Sequence, residues 1–391
     1  MERSPEKGRR VMGGQYFLYF GVLGMYLPYF NLYCFHLGFS GVEIGALSAL
    51  RSLAMIVFPI AWGIVADRYQ ARRPIYILCN FAAVGVWSFY LFRQDFASMF
   101  WVTLVYGIFF SPIISFMEAF TMDVLGGEKK RYGRIRAWGT SAFIAVVILM
   151  GGLIDATSID VIVMLILGGS LIQAVFSGMV PRTERRRVLG KGVDAGFLFQ
   201  RNTLIFLGSA FLMLVSHGAY YGFFSIHLEA LGYGKTFIGT AWALASAAEI
   251  FVMFNSDRIF RRFSLENILL VSLAAAVLRW AVLFQARSSA AILAAQALHA
   301  MTYAAFHVAG LLYIDRLTPE GSKTLGQAVN NAVTYGLGMM IGYFLSGWLY
   351  DALGPFFLFM MSALIAGAGG VLFLWIWVPA LRPEPPEGRT L

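Results

Sequence analysis

Charge is scarce in this sequence: 21 Asp and Glu with 30 Lys and Arg make only 13% of 391 residues charged, about half of what a soluble domain carries. So little charge excludes an ordinary water-solvated surface. A mean hydropathy of +0.70, with 59% hydrophobic and 16% aromatic residues, makes the bilayer the solvent. The apolar excess runs the whole length and leaves little room for a domain outside the membrane. Cysteine is nearly absent: Cys34 and Cys79 both lie in apolar runs, so neither a disulfide framework nor a metal site is expected. Also missing are a nucleophile motif, clustered metal ligands and a phosphate-binding glycine loop, which argues against an intramembrane enzyme. The net charge of +9 is not gathered beside exposed aromatics as nucleic acid requires, so nucleic acid is not an expected partner.

What is present is a series of apolar segments of about 20 residues, the length that spans a bilayer as a helix. Twelve can be placed. The first six are Val11–Phe35, Glu43–Ala66, Pro74–Phe92, Phe96–Val124, Tyr132–Ile154 and Ile159–Val180. The second six are Asn202–Leu228, Phe237–Phe254, Leu265–Ala286, Ala290–Tyr313, Thr324–Tyr350 and Pro355–Val378. Runs such as Ala142–Leu153 are continuously apolar, unlike the alternating strands of a membrane barrel. With the N-terminus inside, 24 of the 30 basic residues fall on the inner side, Arg93, Lys235 and Arg287 outside, and Arg51, Arg136 and Arg279 within spans. Both termini are therefore expected in the cytoplasm. The first segment lacks the short apolar run and cleavage site of a signal peptide and is expected to remain as a span.

The two halves echo each other. Leu37-Gly38-Phe39-Ser40 with Ile44-Gly45 recurs 194 residues later as Leu231-Gly232-Tyr233-Gly234 with Ile238-Gly239. Asp67-Arg68 with Arg72 recurs as Asp257-Arg258 with Arg262. Two repeated bundles, 11–180 and 202–380, are expected, joined by an Arg-rich cytoplasmic linker at 181–201 and flanked by cytoplasmic tails at 1–10 and 381–391. The stretch Gly63-Ile-Val-Ala-Asp67-Arg68-Tyr-Gln-Ala-Arg72-Arg73 resembles the signature loop of the major facilitator superfamily. Gly63 is expected to allow close helix approach. Asp67, Arg68 and Arg72, with their repeats Asp257, Arg258 and Arg262, are expected to form a charge latch on the cytoplasmic side. Positive-inside topology alone explains the arginines, but not the aspartates.

A charge at mid-span costs about 2.5 to 3.5 kcal/mol on insertion scales, so Arg51, Glu118, Arg136, Glu249 and Arg279 are functional candidates. Adjacent antiparallel helices are expected to pair Glu118 with Arg136, and Glu249 with Arg279. Arg51 has no evident carboxylate at its depth, and an unpaired arginine fork suits a substrate carboxylate. Snorkelling or a carbonyl partner is the plainer reading of it. Four histidines, His217, His227, His299 and His307, fall in the second half. Imidazole titrates nearest working pH and can relay a proton, although a membrane histidine also serves as an interhelical hydrogen-bond partner.

Glu118-Ala-Phe, the twelve residues Thr121–Tyr132, then Gly133-Arg134-Ile-Arg136-Ala-Trp138-Gly139 resemble the sugar-binding stretch of the lactose permease family. That resemblance implies sugar-binding roles for Glu118 and Arg136, and places Glu249, Arg279 and His299 in a substrate and proton network. Three departures stand against a direct transfer: Thr302 replaces the proton-carrying Glu, Gln296 replaces a Lys, and the seventh span lacks its Asp residues. Those segments, Ser216-His217-Gly-Ala-Tyr220-Tyr221, Trp242-Ala-Leu with Ala248-Glu249-Ile250, Leu278-Arg279-Trp280, and Gln296-Ala-Leu-His299 with Ala305-Phe306-His307, resemble the phenylpropionate permease family. Nearly the whole chain shares that likeness, which implies an aromatic carboxylic acid as substrate, with Arg51, Tyr26, Tyr220, Tyr221, Trp138 and Phe143 lining its site.

The expectation is an all-α membrane protein of twelve transmembrane helices in two pseudo-symmetric six-helix bundles, multi-pass in the bacterial inner membrane and working as a monomer. It imports a small organic anion with protons as the coupling ion and no other cofactor or metal; Glu249, Arg279, His299 and His217 manage the proton. A symporter for a neutral sugar or nucleoside, an efflux carrier, and a scaffold or sensor that has lost turnover are the alternatives.

Overall fold

A computed structural model of the chain describes residues 5–128, 131–181 and 195–380. The parts of the expected tails and linker at 1–4, 182–194 and 381–391 lie outside the described residues, as does the side chain of Asp257. The described residues form twelve helices in chain order. They are α1 (Pro5–His36), α2 (Gly41–Arg68), α3 (Arg72–Trp87), α4 (Phe96–Leu125), α5 (Tyr132–Ala156), α6 (Val161–Ser177), α7 (Arg201–Ala230), α8 (Lys235–Arg262), α9 (Leu265–Gln285) and α10 (Ser289–Leu317), followed by α11 (323–353) and α12 (355–380). Helix is the only form in which an isolated apolar span satisfies its own backbone inside lipid. Many large apolar side chains point outward, among them Ile64, Leu149, Trp101 and Trp375, as lipid contact requires.

Helix ends follow local chemistry. Ser40 and Glu43 form a capping box at the start of α2, and Asp95, Ser264 and Ser288 cap α4, α9 and α10. The repeat seen in the sequence is repeated in the backbone: Gly38 and Gly232 take φ of 86° and 85° in the turns before α2 and α8, a region glycine enters without steric cost. Gly354, at φ 79°, separates α11 from α12. Two helices widen locally into π turns, α10 at Ala300–Ala305 and α11 at Asn331–Gly338.

Three limits differ from the sequence reading. α1 begins at Pro5, inside the expected tail, and its Arg9 pairs with Glu128 at 2.7 Å. α2 and α8 run on to Arg68 and Arg262. Apolarity marks where the hydrocarbon ends, whereas the helices continue into polar surroundings that solvate their charges.

The chain divides into two compact units. Unit 1 takes the described residues of Met1–Val188 with Gly218–Ala247 and Met339–Leu358; unit 2 takes those of Leu189–His217, Ala248–Gly338 and Phe359–Leu391. The bundles read from the sequence are a different partition of the same helices. In unit 1, Tyr16, Tyr76, Met117 and Phe120 pack at the core of α1, α3 and α4. A neutral polar chain threads the unit: Tyr76 donates to Gln15 (2.6 Å), Gln173 donates to Asn80 (3.0 Å), and Asn80 donates to the Tyr76 carbonyl (2.8 Å).

Candidate functional site

In unit 1, Arg51 sits midway along α2. Its guanidinium donates to the Tyr343 hydroxyl at 3.2 Å and lies 4.9 Å from the Tyr26 ring centre and 6.0 Å from that of Tyr343. No carboxylate among the described residues lies within ion-pair distance of it. Tyr26 is stacked on Phe30 at 4.8 Å and edged by Trp87 at 5.7 Å, which fixes the aromatic wall. Cation–π contact with two rings stabilises a guanidinium yet leaves its in-plane donors available to an anion. Tyr343 was not foreseen: it lies in an apolar stretch some three hundred residues from Arg51, with no local signal.

Glu118 and Arg136 do not form the expected ion pair. Arg136 instead lies over the Phe20 ring at 3.9 Å, with Tyr16 at 5.5 Å. A Cβ on Gly139 would stand 2.6 Å from the Phe20 ring, so the glycine admits Phe20 beneath the guanidinium. Glu118 remains accessible on α4. Of the expected aromatic lining, Trp138 is 59% exposed and lies against Gly13. Phe143 is buried where α5 meets Gly24 of α1. Tyr220 is fully buried, 4.8 Å from Trp242 and 5.1 Å from the half-buried Tyr221. These rings belong to three separate packing groups rather than one wall.

Unit 2 brings together Glu249, Arg279, His299 and His217. Arg279 is fully buried and donates to Nδ1 of His299 (2.8 Å), Gln296 (3.0 Å), Thr302 (3.3 Å) and the Ala295 carbonyl (3.1 Å). A guanidinium has no acceptor, so Nδ1 of His299 must accept. The imidazole proton then lies on Nε2, which donates to Glu249 at 3.0 Å. One neutral imidazole thus bridges a buried cation and a carboxylate. His217 donates from Nδ1 to the Met213 carbonyl at 2.8 Å and has its ring 6.2 Å from that of His299. Thr302 and Gln296, where the chain departs from the lactose permease pattern, are the side chains that receive Arg279. Below them Tyr303 stacks on His299 (5.3 Å), and His307 meets the Tyr335 hydroxyl at 2.6 Å. His227, by contrast, is buried beside Phe356.

The cytoplasmic signature loop is partly corrected. A Cβ on Gly63 would meet nothing within 4 Å, so this glycine does not serve close helix packing. It lines a cavity of about 280 Å³ with Asp67, Arg72, Pro112 and Asp123. Arg72 pairs with Asp123 at 2.6 Å, a partner on α4 that the loop motif does not contain. Arg68 lies over Tyr69 at 5.9 Å; Arg258 and Arg262 are exposed.

Every element among the described residues is helical, with charges bridged inside apolar helices. A model of the MFS_1 like family matches residues 10–361, and the chain belongs to that family, a multi-pass membrane transporter of the major facilitator fold and not an enzyme. A probable 3-phenylpropionic acid transporter of Escherichia coli is 29% identical over 366 residues, 90% of this chain and 93% of its own. The putative nucleoside transporter YegT of the same species is 26% identical over 334 residues, 80% of this chain and 78% of its own. The solved structure of the nucleoside transporter NupG superposes with a TM-score of 0.85 at 18% identity, covering 96% of this chain and 100% of that one.

Proposed function

We propose that the protein carries a small organic anion, an aryl carboxylate, inward with protons by alternating access of two six-helix halves, 11–180 and 202–380, as a monomer in a bacterial inner membrane. The observation that carries this reading is Arg51, a cation held by two tyrosine rings with no carboxylate in reach among the described residues. An arriving carboxylate supplies that missing counter-charge, and its ring finds aromatic company in Tyr26 and Tyr343. The name of the 29% identical relative points to the same substrate class. Glu249 and His299 take the proton role, because a proton added to Glu249 removes the negative charge that faces the buried Arg279 cation through the His299 imidazole.

A second reading, a nucleoside or sugar symporter, is favoured by the accessible carboxylate of Glu118 and by the name of the 26% identical relative. Thermal stabilisation of the purified protein against aryl carboxylates, aliphatic acids, sugars and nucleosides separates them. A ligand at a hundredfold excess over Kd adds about 2.7 kcal/mol. The expected result is a shift with an aryl carboxylate that Arg51→Gln weakens about tenfold or more in Kd, the loss of a charge-assisted hydrogen bond. Stabilisation by nucleosides or sugars alone, unaffected by Arg51→Gln, moves the site to Glu118.

A further inference from the structure

The outer ends of the helices in unit 1 carry two sets of contacts that repeat. Asp155, ending α5, accepts from the backbone N–H groups of Lys235 and Thr236 at the start of α8, each at 2.8 Å, and from the Thr236 hydroxyl at 2.7 Å. Asp351, near the end of α11, accepts from the backbone N–H groups of Gly41 (2.7 Å) and Val42 (2.9 Å) at the start of α2. The donors stand 194 residues apart and the acceptors 196 residues apart, so one contact is the internal repeat of the other.

Glycines repeat beside them. A Cβ on Gly151 would collide with the Lys235 carbonyl, and one on Gly347 with the Gly41 carbonyl. A Cβ on Gly239 would collide with the Val147 carbonyl, and one on Gly45 would stand 2.6 Å from the Tyr343 carbonyl. Each aspartate-bearing helix therefore lies backbone to backbone against the helix whose amino end it caps. Only hydrogen fits at those positions.

The first N–H groups of a helix have no partner within it, and that end carries a partial positive charge. A carboxylate from another helix answers both needs and ties the two helices together. For α2 the tie is redundant as a cap, since Ser40 and Glu43 already form a capping box there. Asp351 is thus not needed to start α2. Its remaining consequence is to hold α11 against it.

Resting on the alternating-access reading above, we propose that Asp155 and Asp351 are a matched pair of clasps that hold the outer ends of these helices shut and release when the transporter opens to the outside. A third tie, Glu229 with His36 (2.9 Å) and Lys235 (2.6 Å), lies beside the Asp155 clasp.

The clasps are tested by labelling Ser48→Cys, a position 3% exposed on α2, with a membrane-impermeant maleimide applied to intact cells, after Cys34→Ala and Cys79→Ala. Asp155→Ala and Asp351→Ala are each expected to raise the labelling rate about fivefold, and together about twenty-five-fold, because separate caps act additively. Parental labelling in a folded double variant overturns the proposal. If the double variant does not fold, Asp351→Ala decides alone, since α2 keeps its own capping box: faster labelling supports the clasp, and an unchanged rate overturns it.

Discussion

Both units bury polar side chains deep among their helices, and the two networks are built from opposite materials. In unit 1, Gln15, Tyr76, Asn80 and Gln173 join α1, α3 and α6 through amides, a phenol and a carbonyl, with no ionised group in the chain of bonds. In unit 2, Glu249, His299, Arg279 and Gln296 join α8, α9 and α10 through a carboxylate, an imidazole and a guanidinium. The first holds one arrangement whatever the proton supply. The second changes its net charge with a single proton. Under the proposed function, buried polarity alone does not mark the coupling site, whereas buried polarity that titrates does.

The largest expected effect separates the networks by coupling. Glu249→Gln keeps the hydrogen-bonding shape beside His299 and removes the ionisable site, so concentrative uptake driven by a proton gradient is expected to vanish while substrate counterflow persists. Both activities are read in proteoliposomes. Full accumulation in this variant would take the proton role away from unit 2.

A smaller effect is expected from Tyr76→Phe, which deprives the buried Gln15 oxygen of its donor. Leaving such a group unsatisfied costs about 1 to 3 kcal/mol, read as earlier thermal unfolding, with KM and the pH profile of transport unchanged. A shifted pH profile would mean that the neutral network also takes part in transport, and the comparison would fail.

The smallest effect concerns a carboxylate that titrates outside both networks. Asp95 caps α4, and its bonds from the Ser98 backbone N–H and hydroxyl hold it below the usual carboxylate range. A depressed folded value stabilises the protein above the unfolded pKa of about 3.9 and is lost as pH falls through the folded value. Asp95→Asn should therefore flatten only the acid limb of stability against pH, leaving neutral-pH transport as it was. A change in transport at neutral pH would show that titration away from unit 2 also matters.

The spans were legible because apolarity over twenty residues is a local property that lipid enforces. Arg51, Glu249, Arg279 and His299 were legible for a related reason: a charge in such a run is anomalous on its face. Their partners were not. Sequence offered Arg279 for Glu249, and the structure adds the His299 imidazole, bonded to both. Tyr343, Asp123, Asp155 and Asp351 lie far along the chain from what they touch, and an aspartate at a helix end reads as an ordinary loop charge. Only the repeat offset carried a signal for the last two. Gly63 failed for the converse reason, since a glycine's neighbours are not written beside it.

The two π turns, in α10 at Ala300–Ala305 and in α11 at Asn331–Gly338, have a consequence for how these helices deform. A π turn is an α-helix holding one residue too many, its hydrogen bonds reaching one residue further. When the surplus passes along by a turn, every residue it crosses swings about 100° around the axis while both helix ends stay where they were. His299 and Tyr335 stand at such places, one just before the first surplus and one inside the second. Each helix is thereby a screw with a slack thread, able to turn a single side chain to a new bearing without being unseated.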